Sequence, residues 1–145
     1  MKIPTMIVDD EKVDRYTARR RLERHGGFGE VIEAESGDAF LETHCSVPGA
    51  WPKDGLPILI LMDINMPGRD GFETVAELDR RHQRGMGPPS LVVTMFTSSS
   101  SPRDRARAAA LPLVRGYAEK PLDAAGAEAL DALYSAHLRS IGYAA

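Results

Sequence analysis

The chain has 145 residues, 43% of them hydrophobic, with a formal net charge of −3. That is one ordinary domain with enough apolar residues for a core, and its mildly acidic balance argues against nucleic acid as the main partner. The one cysteine, Cys45, excludes an intrachain disulfide and suits a reducing compartment, and no run approaches the ~20 apolar residues of a membrane helix.

The N-terminal stretch "MKIPTMIVDDEK" lacks a signal-peptide core, because its apolar run is only Met6 to Val8. A soluble cytoplasmic protein is therefore expected. Along the chain, short apolar runs alternate with segments of helical period. The first strand is expected at 5–8 and the first helix at 13–25, stopped by Gly26 and Gly27. Arg19, Arg20 and Arg21 read as a solvated helix face. The second strand, 31–35, alternates polar and apolar residues and suits a sheet edge. A helix over 37–45 follows. The loop 45–57 carries three prolines and two glycines, with Trp51 expected to cover an apolar edge.

The strands expected at 58–62 and 91–96 are apolar at nearly every position, as burial on both faces requires. Between them a helix is expected over 70–84, with Phe72, Val75, Ala76 and Asp79 on one side. Ser101 and Pro102 supply an N-cap and a first-turn proline for a helix at 101–110. A strand at 116–119 and a helix at 122–141 complete five β-α units. On the last helix, Leu130, Leu133, Tyr134, Leu138 and Ile141 share an arc expected to pack on the sheet, with His137 as its polar exception. Ala125, Ala129, Ala132 and Ala136 form a second stripe, a candidate surface for a homodimer. His25, His44, His82 and His137 have no paired metal spacing and read as surface or packing residues.

Such alternation predicts an α/β fold, a parallel sheet with helices on both faces. In an open parallel sheet the loops at the carboxyl ends of the strands form the site. Those ends carry Asp9 and Asp10, then Asp63, then Thr97 and Ser98, then Lys120 and Pro121. Right-handed crossovers bring them together. Two like charges 4 Å apart repel by about 4 kcal/mol at an effective dielectric near 20. Three carboxylates therefore call for a cation, and all-oxygen ligation favours a hard ion, Mg²⁺ over Ca²⁺. No histidine or cysteine stands at a strand end, so zinc is disfavoured.

The motifs "IVDDE" (7–11), "LILMDINMPGRDG" (59–71), "VVTMFTSSS" (92–100) and "YAEKP" (117–121) resemble those of the receiver domain of two-component response regulators. The resemblance spans essentially the whole chain, residues 1–145, as one stand-alone receiver. It implies a flavodoxin-like sheet in the order 2-1-3-4-5. It implies Asp63 as the phosphoacceptor, attacking a phosphohistidine on a histidine kinase or phosphotransfer protein. Asp10 resembles a direct Mg²⁺ ligand, Asp9 a ligand through water, and Asn65 a backbone-carbonyl ligand. Thr97 and Lys120 would contact the phosphoryl group. Pro121 would follow a cis peptide, and Tyr117 matches an aromatic that swings inward on activation. The long loop and "TSSSSPRD" resemble receivers paired with phytochrome-type kinases. One departure is "ALPLVRG" before the fifth strand, where Pro112 should end the fourth helix early.

Two alternatives compete with a switch that signals by protein contact. A haloacid-dehalogenase-like phosphatase also uses a nucleophilic aspartate, but here Ile64 and Asn65 follow Asp63, so its second acid is missing. A non-phosphorylated adaptor would have lost an acid or the lysine, and none is lost. The expected protein is not an enzyme beyond its own phosphorylation and dephosphorylation.

Overall fold

The runs that are apolar at every position form the middle of the sheet. In the computed structural model, which describes residues 2–49, 55–98 and 101–143, β3 (Ile58–Met62) and β4 (Leu91–Thr97) are buried along their whole length. With β1 (Ile3–Val8), β2 (Phe28–Ala34) and β5 (Val114–Glu119) they make a parallel sheet in the order β2-β1-β3-β4-β5. A strand covered on both faces has no polar side to present, which explains the unbroken apolar sequence. The mixed run at β2 is an edge, as its composition predicts. Trp51 lies outside the described residues.

Side chains split by alternation along each strand. Ile58, Ile60 and Met62 pack under α2 (Gly37–His44), α3 (Gly71–Gln83) and α4 (Pro102–Ala109). Leu59 and Leu61 face α1 (Lys12–His25) and α5 (Ala124–Ser140). Each layer is one contiguous apolar cluster, so the sheet is held rigid from both sides.

Both outer strands start earlier than the residue pattern predicts. Ile3 pairs with Phe28 but Thr5 with Val31, and Val93 pairs with Val114 but Thr94 with Gly116. One extra residue on each outer strand interrupts the two-residue period, so the pattern becomes legible only beyond the irregularity.

Helix ends follow their capping residues. Gly26 adopts φ 83° and returns its N–H to the Leu22 carbonyl. Asp70 and Glu73 form a reciprocal capping box at α3. Ser101 accepts from the Asp104 N–H, and α4 stops at Ala109, ahead of Pro112.

Two helix faces differ from expectation. On α3 the buried residues are Phe72, Val75 and Leu78, with Thr74 and Gly71. Asp79 and Ala76 are only half-buried, because Leu78 carries the face one turn on from Val75. On α5 the buried set is Ala127, Leu130, Tyr134 and Leu138. Leu133 is half-buried, and Ile141, 47% exposed, lies past the end of the helix, where helical spacing no longer applies. Tyr134 donates its hydroxyl proton to the Pro57 carbonyl at 2.7 Å, tying α5 to the approach of β3. The stripe Ala125, Ala129, Ala132 and Ala136 is exposed throughout.

Candidate functional site

Asp9, Asp63 and Lys120 each stand one residue beyond a strand, yet the backbone N–H of each still joins the ladder. Asp9 donates to the Ala34 carbonyl at 3.1 Å, Asp63 to Val8 at 2.9 Å and Lys120 to Thr97 at 2.9 Å. The sheet thus fixes the backbone of these three residues while their side chains leave its carboxyl edge. That is why a buried apolar strand ends in a carboxylate at Asp63.

The side chains of Asp9, Asp10 and Asp63 offer oxygens that all lie within 4.8 Å of one another. Asp9 and Asp63 are buried. The Lys120 ammonium closes the group, 2.6 Å from Asp9 Oδ2 and 3.3 Å from Asp63 Oδ1. It also lies 3.0 Å from Asp14 Oδ2, to which it donates. Burial pushes the Asp63 carboxyl up to about 6; Lys120 opposes the rise, and Asp9 and Asp10 add to it. Burial alone would lower Lys120, but hydrogen bonds to Asp9 and Asp14 and the charges of Asp63 and Asp9 hold it above the ordinary lysine range.

The surroundings keep these groups in place. The Glu11 N–H donates to Asp9 Oδ1 at 2.9 Å. Buried Arg15 donates from Nη1 to the Asp9 carbonyl and from Nε to Glu33, both at 2.8 Å. After Asp63 the turn is tight: the Gly71 N–H reaches the Ile64 carbonyl at 2.7 Å, and a Cβ at Gly71 would strike the Asp63 carbonyl and Ile64 Cα. Gly68 takes φ 73° in this turn, and Arg69 is anchored to Asp38 at 2.8 Å.

The other residues singled out from sequence take varied places. Thr97 ends β4, buried, and its carbonyl receives the Lys120 N–H. Asn65 is exposed in the turn after Asp63. The Lys120–Pro121 peptide is cis. Tyr117 stands away from the acids, half-buried against the α4 side, with the Arg105 guanidinium 4.4 Å from its ring centroid. Arg105 also pairs with Glu119 at 3.0 Å. Arg19 pairs with Glu33 rather than standing wholly in solvent.

Sequence reasoning misses Asp14 and Arg15. Asp14 lies in the first turn of α1, just after the acidic pair, but Asp10 precedes the helix, so helical spacing does not link the two. Arg15 gives no local signal, because its partners Asp9 and Glu33 come from two other segments. The histidine reading needs one addition: His25 meets Glu128 at 2.9 Å and Asp131 at 3.7 Å. The Gly27 N–H donates to Nδ1 at 3.2 Å, which leaves the ring proton on Nε2, facing those carboxylates.

A five-stranded doubly wound sheet with two acids after β1, one after β3 and a lysine after β5 defines a phosphoryl-accepting signalling module. Residues 5–130 match the family described as "Response regulator receiver domain", and the chain belongs to that family. It is 29% identical to protein PilH of Pseudomonas aeruginosa over 118 residues, 81% of this chain and 85% of PilH. A two-component response regulator from Cytophaga hutchinsonii superposes with a TM-score of 0.76 at 28% identity, covering 96% of this chain and 99% of that one. The bacteriophytochrome response regulator RtBRR superposes with a TM-score of 0.69 at 27% identity, covering 92% and 78%. The chain is thus a phosphorylation-dependent switch of two-component type, and the phosphatase alternative is not favoured. No described helix is long and apolar enough to cross a membrane.

Proposed function

We propose that Asp63 is the residue that accepts the phosphoryl group, from a phosphohistidine on a histidine kinase or phosphotransfer protein. The observation that carries this is the meeting of the Asp63 carboxylate with the Lys120 ammonium at 3.3 Å, beside Asp9 and Asp10, at the end of the central strand. A carboxylate oxygen of Asp63 forms the new O–P bond as the N–P bond of the donor breaks, and the imidazole leaves with its electron pair. Phosphoryl transfer depends on positioning and charge neutralisation more than on covalent help. Lys120 would supply a cation at the phosphoryl oxygens, and Thr97, at the end of β4, a hydroxyl.

The residues fit a divalent cation. Asp10 Oδ1 is buried with no hydrogen-bond partner, and a buried unpaired carboxylate oxygen within an all-oxygen acidic triad is what a hard ion satisfies. Asp10, Asp9, Asp63 and the Asn65 carbonyl would hold Mg²⁺, which supplies positive charge to the phosphoryl oxygens. The protein's chemistry is confined to its own phosphorylation and dephosphorylation, and the state of the pocket is read through Thr97 and Tyr117 by a protein partner.

We assign the whole span 1–145 to this one domain, acting in the cytoplasm without nucleic acid. A phytochrome-type kinase is the first donor to test, in view of the likeness to RtBRR. Self-association through the exposed α5 alanines belongs to the same reading; light scattering on wild type and Ala132→Arg, with and without phosphorylation, decides it. The central test is incubation with a small phosphodonor and Mg²⁺, then intact-mass measurement. One phosphoryl increment is expected in wild type and none in Asp63→Asn.

A further inference from the structure

We propose that Asp14 is a positioning residue that holds Lys120 in a resting place and slows its engagement with the incoming phosphoryl group. This rests on the reading of Asp63 as acceptor. A lysine ammonium has three N–H donors and no more. Here three carboxylates surround it, Asp9 at 2.6 Å, Asp14 at 3.0 Å and Asp63 at 3.3 Å. The ammonium is thus already drawn to three carboxylates before any phosphoryl group arrives, and it donates a hydrogen bond to Asp14.

Asp14 differs from the other two acids. It projects from the first turn of α1 rather than from a strand end, and its side chain is 38% exposed. Its oxygens do not belong to the close group formed by Asp9, Asp10 and Asp63. The ammonium is therefore shared between the pocket and an acid outside it. A phosphoryl group on Asp63 brings three strong acceptor oxygens and close to two negative charges. It must draw the ammonium from Asp14, and the Asp14 charge repels it meanwhile. Asparagine at position 14 keeps the size and removes the charge.

The test measures the initial rate of labelling by a small phosphodonor in saturating Mg²⁺, with intact mass as the readout. Asp14→Asn is expected to label on the order of fivefold faster, the scale of a part-exposed ion pair. Asp14→Glu, which keeps the carboxylate, is expected near the wild-type rate. In a Lys120→Ala background the gain from Asp14→Asn is expected to vanish. A structural reading of Asp14 would not move the Lys120 ammonium signal in ¹⁵N NMR; here that signal is expected to exchange faster with water in Asp14→Asn. An unchanged or slower rate in Asp14→Asn overturns the proposal, as does an equal gain without Lys120, which would mark a field effect alone. Labelling that survives in Asp63→Asn overturns the acceptor assignment instead, so the two failures are distinguishable.

Discussion

Arg15 grips the backbone of Asp9. Its Nη1 donates to the Asp9 carbonyl at 2.8 Å while Nε is held by Glu33, also at 2.8 Å. One buried guanidinium thus fastens the first acidic loop to the edge strand β2. Arginine suits this place because its planar fork serves two acceptors at once.

Arg15→Ala is therefore expected to destabilise the fold by about 1–3 kcal/mol, since it strands the Asp9 carbonyl and leaves Glu33 to Arg19 alone. Arg15→Lys is expected to recover less than half of that loss. Urea denaturation with a common slope measures both. Equal stability of Arg15→Ala and wild type would show that the loop is held by other means.

Asp63 makes stability depend on pH with a definite sign. Its carboxyl sits at about 6, above the ordinary carboxylate near 3.9. A group raised on folding contributes stability while protonated, and that contribution is lost as pH rises from the unfolded value through the folded one. In chelator, wild type is expected to lose this contribution between about pH 4 and pH 6. Asp63→Asn cannot ionise and is expected to exceed wild type by about 1–3 kcal/mol at pH 7.5, with the gap shrinking by pH 4.5. Thermal melts at the two pH values check it, and a gap independent of pH would contradict it.

Much of this site is legible in the amino-acid sequence. The strand ends carry the acids and the lysine of the candidate site, and strand ends are marked by an apolar run stopping at a polar residue, as at Asp63. The sheet order is legible through the family resemblance rather than through the residue pattern. What escapes are contacts made between segments. Lys120 reaches Asp14 across 106 residues of sequence, and nothing local to either residue announces that meeting. The true starts of β2 and β5 escape because an irregularity in pairing erases the two-residue period. Ile141 falls off the predicted arc because helical spacing does not extend past Ser140, where α5 ends.

Removal of divalent metal is expected to abolish labelling by a small phosphodonor. Asp9, Asp10 and Asp63 crowd their oxygens within 4.8 Å, and Lys120 alone leaves them with excess negative charge. Asp10→Asn is expected to weaken Mg²⁺ binding more than Asp9→Asn, because Asp10 Oδ1 is buried without a hydrogen-bond partner whereas Asp9 already faces Lys120. Calorimetric titration of each variant with Mg²⁺ gives the order. The reverse order, or labelling in excess chelator, would sink this view of the pocket.

In the proposed function Lys120 would also join the site to the output. It lies three residues after Tyr117 on the same segment, and Tyr117 packs beside Arg105 against the α4 side. A two-state equilibrium moves only by the difference in contacts between its states. On the proposed transfer the contact that differs is that of Lys120, which pairs with carboxylates here and would pair with the phosphoryl group afterwards. Lys120→Ala is therefore expected to uncouple phosphorylation from the response at Tyr117 more than it blocks phosphorylation. Removing the ammonium also leaves buried Asp9 and Asp63 facing each other, so the variant is expected to lose about 2–4 kcal/mol in chelator and to regain part of it in Mg²⁺. Ring signals of Tyr117, recorded by NMR with and without a phosphoryl mimic, decide the coupling. In wild type they should shift on loading; in Lys120→Ala, loaded to the same extent, they should stay near their resting positions. A shift of wild-type size in the variant would mean that the signal reaches Tyr117 by a route that does not include this lysine.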